Sequence, residues 1–383
     1  MRFLLYPIAW IYGLGVAIRN HLFNTNVLKR KSYNIPIISV GNITMCGTGK
    51  TPHVEYLVRL LKNSCKVAVL SRGYKRLTQG YVLANEKSEM TDIGDEPFQM
   101  HTKFPDVTVA VCEKRCDGVD RLLDEEKVEA VILDDAYQHR YIEPGLSILL
   151  VDFNRPIARD HLLPVGMLRE PMSAKKRADI IVVTKCPHDI SPLDIRVCTN
   201  DIRVLAFQKL FFSTMDYSPL EPLFEKSQPK IPLFDLKQMN VLLVTAIGSP
   251  ENIIKDLESY DAKFKELHYR DHHQFTEKEV YEINETFAFM PSPKIMVTTE
   301  KDATRLTKLN GFSLELRKSA YTLPIKVRIL LDQEEEFNKI ILDYVFKDST
   351  DISAVKQIEV DDKQEEQLAD ESQNSTVTIS FKD

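Results

Sequence analysis

The stretch SVGNITMCGTGKTP, residues 39–52, constrains this chain more than any other. The apolar run Ile35–Val40 precedes it. In the residues that follow, Pro52 to Asn63, Val54, Leu57, Val58 and Leu61 recur on one helical face. A glycine-bearing loop between a buried strand and a helix is where backbone N–H groups can cradle phosphate. Aligned on Lys50 and Thr51, the pattern GxxxxGK[ST] opens at Thr44, so its first glycine is missing. Gly47 and Gly49 still permit the tight path that turns N–H groups toward phosphate oxygens. Thr44, Met45, Cys46, Gly47, Thr48, Gly49, Lys50 and Thr51 are therefore expected to bind a nucleotide. Lys50 would reach the β and γ phosphates and Thr51 would ligate Mg2+.

A loop of this kind needs an anionic partner on the metal side. EAVILDDAYQH supplies one, a hydrophobic strand that ends in Asp134 and Asp135. Gln138 and His139 follow closely, at the carboxyl end of the strand, where open α/β sheets bind ligands. Similar polar clusters end other apolar runs. They are SRGY with Arg72 and Tyr74, GDEP at 94–97, PVGMLREP with Arg169 and Glu170, and YRDHHQF with Asp271, His272 and His273. Each of these taken alone could be an ordinary polar turn.

The remaining runs, KVAVLSRGY, VTVAV, LSILLVD, ADIIVVTKCP and RVLAFQKL, lack apolar–polar alternation. Strands of that kind are buried on both faces, as in a mostly parallel sheet covered by helices, so the fold class is α/β and phosphate-loop NTPase-like. Four prolines break the rhythm between residues 210 and 238. The expected organisation is an N-terminal apolar helix (1–30), a phosphate-loop core (31–210), a linker or connecting hairpin (211–239), a smaller α/β domain (240–347) and an acidic tail (348–383).

The N-terminus, MRFLLYPIAWIYGLGVAIRNHLF, carries no charge for the sixteen residues between Arg2 and Arg19. A membrane-spanning helix needs about 20. With its aromatics and the nearby Arg19, Lys29, Arg30 and Lys31, the segment suits the headgroup region of a membrane surface, the alternative being a first helix packed on the protein's own core. A secretory signal would strand a nucleotide loop outside the ATP-containing compartment. The formal net charge of −6 argues against nucleic-acid binding. From Asp351 onward nine acids face three lysines, and this tail reads as a disordered extension in which TVTISF has the pattern of a short strand. Six cysteines form no CxxC pair, which favours reduced thiols over zinc or disulfides. Nothing in the sequence marks an obligate protein partner.

SVGNITMCGTGKTP, SRGY, GDEP, ILDDAYQH, LLPVGMLREP, DHHQF and TEKDATRL occur together and in order. This set resembles the tetraacyldisaccharide 4'-kinase family, the lipid A 4'-kinases of Gram-negative bacteria. The family typically has a glycine pair where Cys46-Gly47 stands here, whereas its loop commonly lacks the opening glycine. The resemblance implies a peripheral enzyme on the cytoplasmic face of the inner membrane. It would use ATP and Mg2+ to phosphorylate the 4'-hydroxyl of a lipid A disaccharide precursor. Carried onto this sequence, it implies Asp134, Asp135 and Glu170 at the metal side and Asp95 as the base, assisted by His272 or else His273. Arg169 and Arg115 would stabilise the transferring phosphoryl or grip the acceptor's 1-phosphate. Arg72, Tyr74, Gln138 and His139 would line the crevice. The rival readings are a nucleotide-switch ATPase or GTPase and a kinase of a small soluble metabolite. VVTKCP only faintly matches a guanine-reading strand, because Pro187 stands where Asp is needed.

Overall fold

The computed structural model describes residues 2–45, 47–247, 251–270 and 273–347. In chain order its strands are β1 (Ile37–Gly41), β2 (Val67–Ser71), β3 (Val82–Leu83), β4 (Thr108–Val111), β5 (Ala130–Asp134), β6 (Leu146–Asp152) and β7 (Ile180–Thr184). They continue with β8 (Lys209–Tyr217), β9 (Glu221–Pro222), β10 (Asn240–Thr245), β11 (Lys263–His268), β12 (Lys294–Thr299), β13 (Ala320–Leu323) and β14 (Ile325–Ile329).

Nine strands form one sheet in the order β14-β8-β7-β6-β1-β5-β2-β4-β3, parallel except at its two edges, β3 and β14. Strands β1, β2, β5, β6 and β7 are buried along their whole length, as their continuous apolar sequences require. On one face, Ile38, Val40, Ile132 and Ile148 pack with Val54, Leu57, Val58 and Leu61 of helix α2 (Lys50–Leu61). On the other face, Ile37, Leu70, Val131 and Leu133 pack with Val119 and Leu122. The second sheet, β11-β10-β12-β13-β9, is parallel except for β9 and has its own apolar clusters on both faces.

The topology corrects the expected division in two places. RVLAFQKL is not a strand throughout. Arg203 ends the helix Pro192–Ile202 in a left-handed conformation (φ 52°), and β8 begins only at Lys209, extending through Phe211 and Phe212 into the presumed linker. The segment after β13 does not belong to the smaller unit either. β14 pairs antiparallel with β8, and Val327, Ile329, Phe337 and Ile341 join the core of the large sheet. The chain therefore leaves the large sheet at Tyr217 and returns beside it at Ile325, so two adjacent strands connect the units. The acidic tail lies outside the described residues.

Helix α1 (Tyr6–Asn24) is 19 residues long and buries Ala9 and Phe23, while Trp10, Ile11 and Leu14 are exposed by 75%, 73% and 61%. Among the described residues no helix is long and apolar enough to cross a membrane.

Candidate functional site

β1 occupies the middle of the large sheet between β5 and β6, and Val40 lies in register with Asp134. The phosphate-type loop therefore leaves the sheet directly beside the carboxylates that end β5. Its first half is pinned by backbone bonds. Met45 N–H donates to the Met167 carbonyl (2.7 Å), Arg169 N–H donates to the Ile43 carbonyl (2.7 Å), and Thr44 bridges Leu168. PVGMLREP is thus fastened to the loop itself, which fixes where Arg169 can reach.

The second half turns into α2. Gly49 is its N-cap at φ +80°, a conformation that glycine adopts without strain. Thr48 is buried and works as an anchor. Its hydroxyl accepts from Asn42 Nδ2 (2.8 Å), and its carbonyl accepts from the Thr184 hydroxyl (2.9 Å). His53, one turn into α2, adds a further tie. A carbonyl can only accept, so Nδ1 donates to Gly49 O (2.7 Å), leaving Nε2 to accept from the Ser213 hydroxyl (3.0 Å). Burial lowers the His53 pKa to about 4, which keeps this link neutral. Cys46 lies outside the described residues.

Lys50 and Thr51 open α2 and, with Gly47 and Gly49, line a cavity of about 570 Å³. Glu96, Met167 and Lys185 of the first unit and Thr299, Glu300 and Lys301 of the second line the same cavity. Lys50 Nζ is 3.6 Å from Asp135 Oδ1, and Arg169 Nη1 is 3.3 Å from Asp135 Oδ2 and 3.5 Å from Gln138 Oε1. Burial opposes ionisation of Asp135, but Lys50 and Arg169 outweigh it and hold its carboxyl below the usual range. Asp134 behaves in the opposite way. Burial, then Glu96 and Asp135, push it up to about 7 against the pull of Lys50 and Arg115. Its Oδ1 is buried with no hydrogen-bond partner among the described residues. A buried carboxylate with an orphaned oxygen, beside two more acids, fits a divalent cation. A Mg2+ that takes most of its remaining ligands from phosphate and water needs only one or two protein carboxylates.

Arg115 is buried, donates to the Cys112 carbonyl (3.0 Å), and is brought down to about 10 by burial, although the charges of Asp134 and Asp135 oppose that shift. His139 falls to about 4 through burial and the surrounding charges of Arg115, Arg19 and Arg72. It is a neutral ring inside a basic cluster, suited to an anionic ligand. Arg72 and Tyr74 are exposed in the turn that follows β2.

Two expected residues are placed otherwise. Glu170 is 2% exposed, and its oxygens are taken by Arg177 (2.9 and 3.0 Å) and Asn20 of α1 (3.0 Å). In this arrangement the carboxylate is paired with Arg177 and ties α1 to the segment that carries Arg169. His273 stacks on Tyr269 and bonds to Glu279 (2.6 Å) at the start of the helix Glu277–Ala288, which makes it part of the second unit's own packing. Asp271 and His272 lie outside the described residues. Asp95 opens the helix Asp95–Lys103 behind Gly94 (φ +91°), where a Cβ would come within 2.9 Å of the Tyr74 carbonyl. Its carboxylate pairs with Arg305 of the second unit.

Sequence reasoning passed over Glu96, Asn42, His53 and Arg177. Glu96 stood beside Asp95 in GDEP, and Asn42 and His53 flank the phosphate loop, so adjacency to a recognised motif was the signal available. Arg177 carried none.

The family model for tetraacyldisaccharide-1-P 4'-kinase matches residues 1–345. A tetraacyldisaccharide 4'-kinase of Bacteroides thetaiotaomicron is 48% identical over 351 residues, 89% of this chain and 92% of that protein. One from Phocaeicola vulgatus is 48% identical over 350 residues, 90% of this chain and 95% of its own. The crystal structure of LpxK from Aquifex aeolicus in complex with ATP superposes with a TM-score of 0.70 at 30% identity, covering 90% of this chain and 99% of that one.

Proposed function

The chain belongs to the tetraacyldisaccharide-1-phosphate 4'-kinase family and is an ATP-dependent kinase of lipid A biosynthesis; from that premise we propose how its residues divide the work of the transfer. ATP enters the cleft with its phosphates on the Gly47–Thr51 backbone, and Lys50 neutralises the β and γ oxygens. Thr51 and Asp134, with Asp135 beside them, would hold Mg2+, which supplies charge neutralisation on the phosphates when bound. Arg169, positioned by its backbone bond to Ile43, stabilises the charge that develops on the transferring phosphoryl. The 4'-oxygen attacks the γ phosphorus as the bond to the leaving ADP oxygen breaks, and Asp95 accepts the hydroxyl proton, assisted by His272. The basic cluster of Arg19, Arg72 and Arg115 around His139 receives the acceptor's own phosphate.

An acyl-chained acceptor remains in the bilayer, so the enzyme must come to it. The exposed Trp10, Ile11 and Leu14 lie in the headgroup region at the cytoplasmic face of the inner membrane. The polar side of the same helix is tied to the site. The Tyr12 hydroxyl donates to Arg169 O (2.8 Å), Arg19 donates to Gln138 O (3.0 Å), and Asn20 donates to Glu170 (3.0 Å). Docking α1 therefore brings the acceptor side of the cleft to the lipid surface.

The observation that carries this reading is the cleft that gathers Lys50, Thr51, Glu96 and the second unit's Glu300 and Lys301 around one space. Incubation with γ-labelled ATP, Mg2+ and the tetraacyldisaccharide 1-phosphate in mixed micelles is expected to place label on the 4'-position of the lipid. Rapid release of inorganic phosphate that ignores the acceptor would contradict it and favour a nucleotide switch.

A further inference from the structure

TEKDATRL supplies Thr299, Glu300 and Lys301 to the cleft and continues beyond them to Leu306. Its residues form the end of β12 and the helix Glu300–Leu306 of the second unit. Asp302 is fully buried and fixed from three sides. Its Oδ2 accepts from Ala246 N–H (2.9 Å) and the Thr299 hydroxyl (2.7 Å), and its own N–H donates to Thr299 Oγ1 (3.1 Å). Its Oδ1 accepts from Arg305 Nη1 (3.2 Å). The Arg305 side chain is only 2% exposed, and its Nη2 donates across the unit boundary to Oδ2 of Asp95, 210 residues earlier in the chain. A second tie joins the same two helices at their opposite ends. Lys103 Nζ bridges Glu300 (2.5 Å) and the buried Glu55 (2.7 Å).

We propose that Arg305 is a positioning residue for phosphoryl transfer: its guanidinium, clamped on the second unit by Asp302, holds the Asp95 carboxylate of the first unit in place. The inference rests on Asp95 being the base. The geometry suits the task because a planar guanidinium can fork between two carboxylates, whereas an ammonium is a single point charge. Pairing through Oδ2 leaves Asp95 able to accept a proton, since a carboxylate offers about four lone-pair sites. The buried location makes the interaction strong, and removing one partner leaves the other charge uncompensated. The arrangement also makes the base competent only when the two units are docked, because its positioning partner belongs to the other unit.

The test compares Arg305→Lys, Arg305→Gln, Asp95→Asn and the double variant Asp95→Asn/Arg305→Gln. ATP dissociation constant and kcat with the lipid acceptor are measured for each. Arg305→Gln is expected to lose kcat on the order of 10²-fold, the scale of misplacing a reacting group by about 1 Å. ATP affinity should stay within about twofold, which also reports that the protein is folded. Arg305→Lys should fall between wild type and Arg305→Gln. The double variant should be no slower than Asp95→Asn alone, since Arg305 acts through Asp95. Unchanged or increased kcat in Arg305→Gln, or losses that multiply in the double variant, would overturn the proposal. Should Arg305→Gln fail to bind ATP, Arg305→Lys decides alone, and wild-type kcat in it is the overturning result. Near-normal turnover in Asp95→Asn removes the base itself and this proposal with it. A crippled Asp95→Asn beside an unimpaired Arg305→Gln defeats this proposal only.

Discussion

The two walls of the cleft are built differently. The nucleotide wall is backbone and buried strand: loop 41–51 leaves the centre of the sheet, is hydrogen-bonded to 167–169, and is tied from inside by Thr48, Asn42 and His53. The opposite wall depends on side chains that meet across the boundary between units, Asp95 with Arg305 and Lys103 with Glu300. A wall of the first kind is built within one unit and is expected to hold phosphate whether or not the units are docked. A wall of the second kind exists only when they are, so binding and chemistry should be separable by mutation.

On the nucleotide wall, Lys50→Met should be the most damaging change. It removes the cation proposed to meet the β and γ phosphates, and kcat should fall on the order of 10²–10³-fold, with weakened ATP binding in an equilibrium titration. A variant that lost turnover but kept full ATP affinity would blur the distinction between the walls.

Asp134→Asn sharpens the comparison through pH. The folded-state pKa of Asp134 is raised to about 7, above the ordinary carboxylate value of about 4 that it takes when unfolded. Between those values the folded state holds the proton more tightly. Its contribution to stability is therefore fully present below about pH 4 and is lost as pH rises to about 7. Metal-free Asp134→Asn should consequently unfold at a higher temperature than wild type at pH 8, while the difference shrinks at pH 5. The same variant should lose Mg2+-dependent turnover on the order of 10²-fold. Added Mg2+ should raise the wild-type midpoint at pH 8 and leave that of the variant nearly unchanged. Identical melting behaviour of the two proteins at pH 8 would remove Asp134 from the cation site.

The smallest effect is expected on helix α1, outside both walls. Replacing Trp10, Ile11 and Leu14 together by Ser removes exposed apolar area without touching the bonds of Tyr12, Arg19 or Asn20. Partitioning onto anionic vesicles in a flotation assay should fall by roughly tenfold, with ATP affinity unaltered. Equal flotation of the variant and wild type would detach α1 from the membrane.

The same difference between walls explains what could be read in the sequence. Continuous apolar runs announced the buried parallel strands, and the loop and Asp134–Asp135 announced the nucleotide wall, because those features are local in sequence. The return of β14 to the large sheet was not legible, since IKVRILL satisfies either sheet and only pairing with β8 decides. Glu170 illustrates the limit at single residues. Its place in LREP suggested a metal-side carboxylate, while its ion pair with Arg177, seven residues on within a basic stretch that carries no motif, was not legible. Asp95–Arg305 could not be inferred either, because nothing local links residues 210 apart.

The separation of binding from chemistry is tested most directly by Asp95→Asn, with ATP dissociation constant and acceptor-dependent kcat measured on the same preparation. The predicted result is an ATP affinity within about twofold of wild type and a kcat lower by roughly 10²–10⁴-fold, the scale of losing a general base. A kcat near wild type, or an ATP affinity that falls in step with kcat, would contradict it.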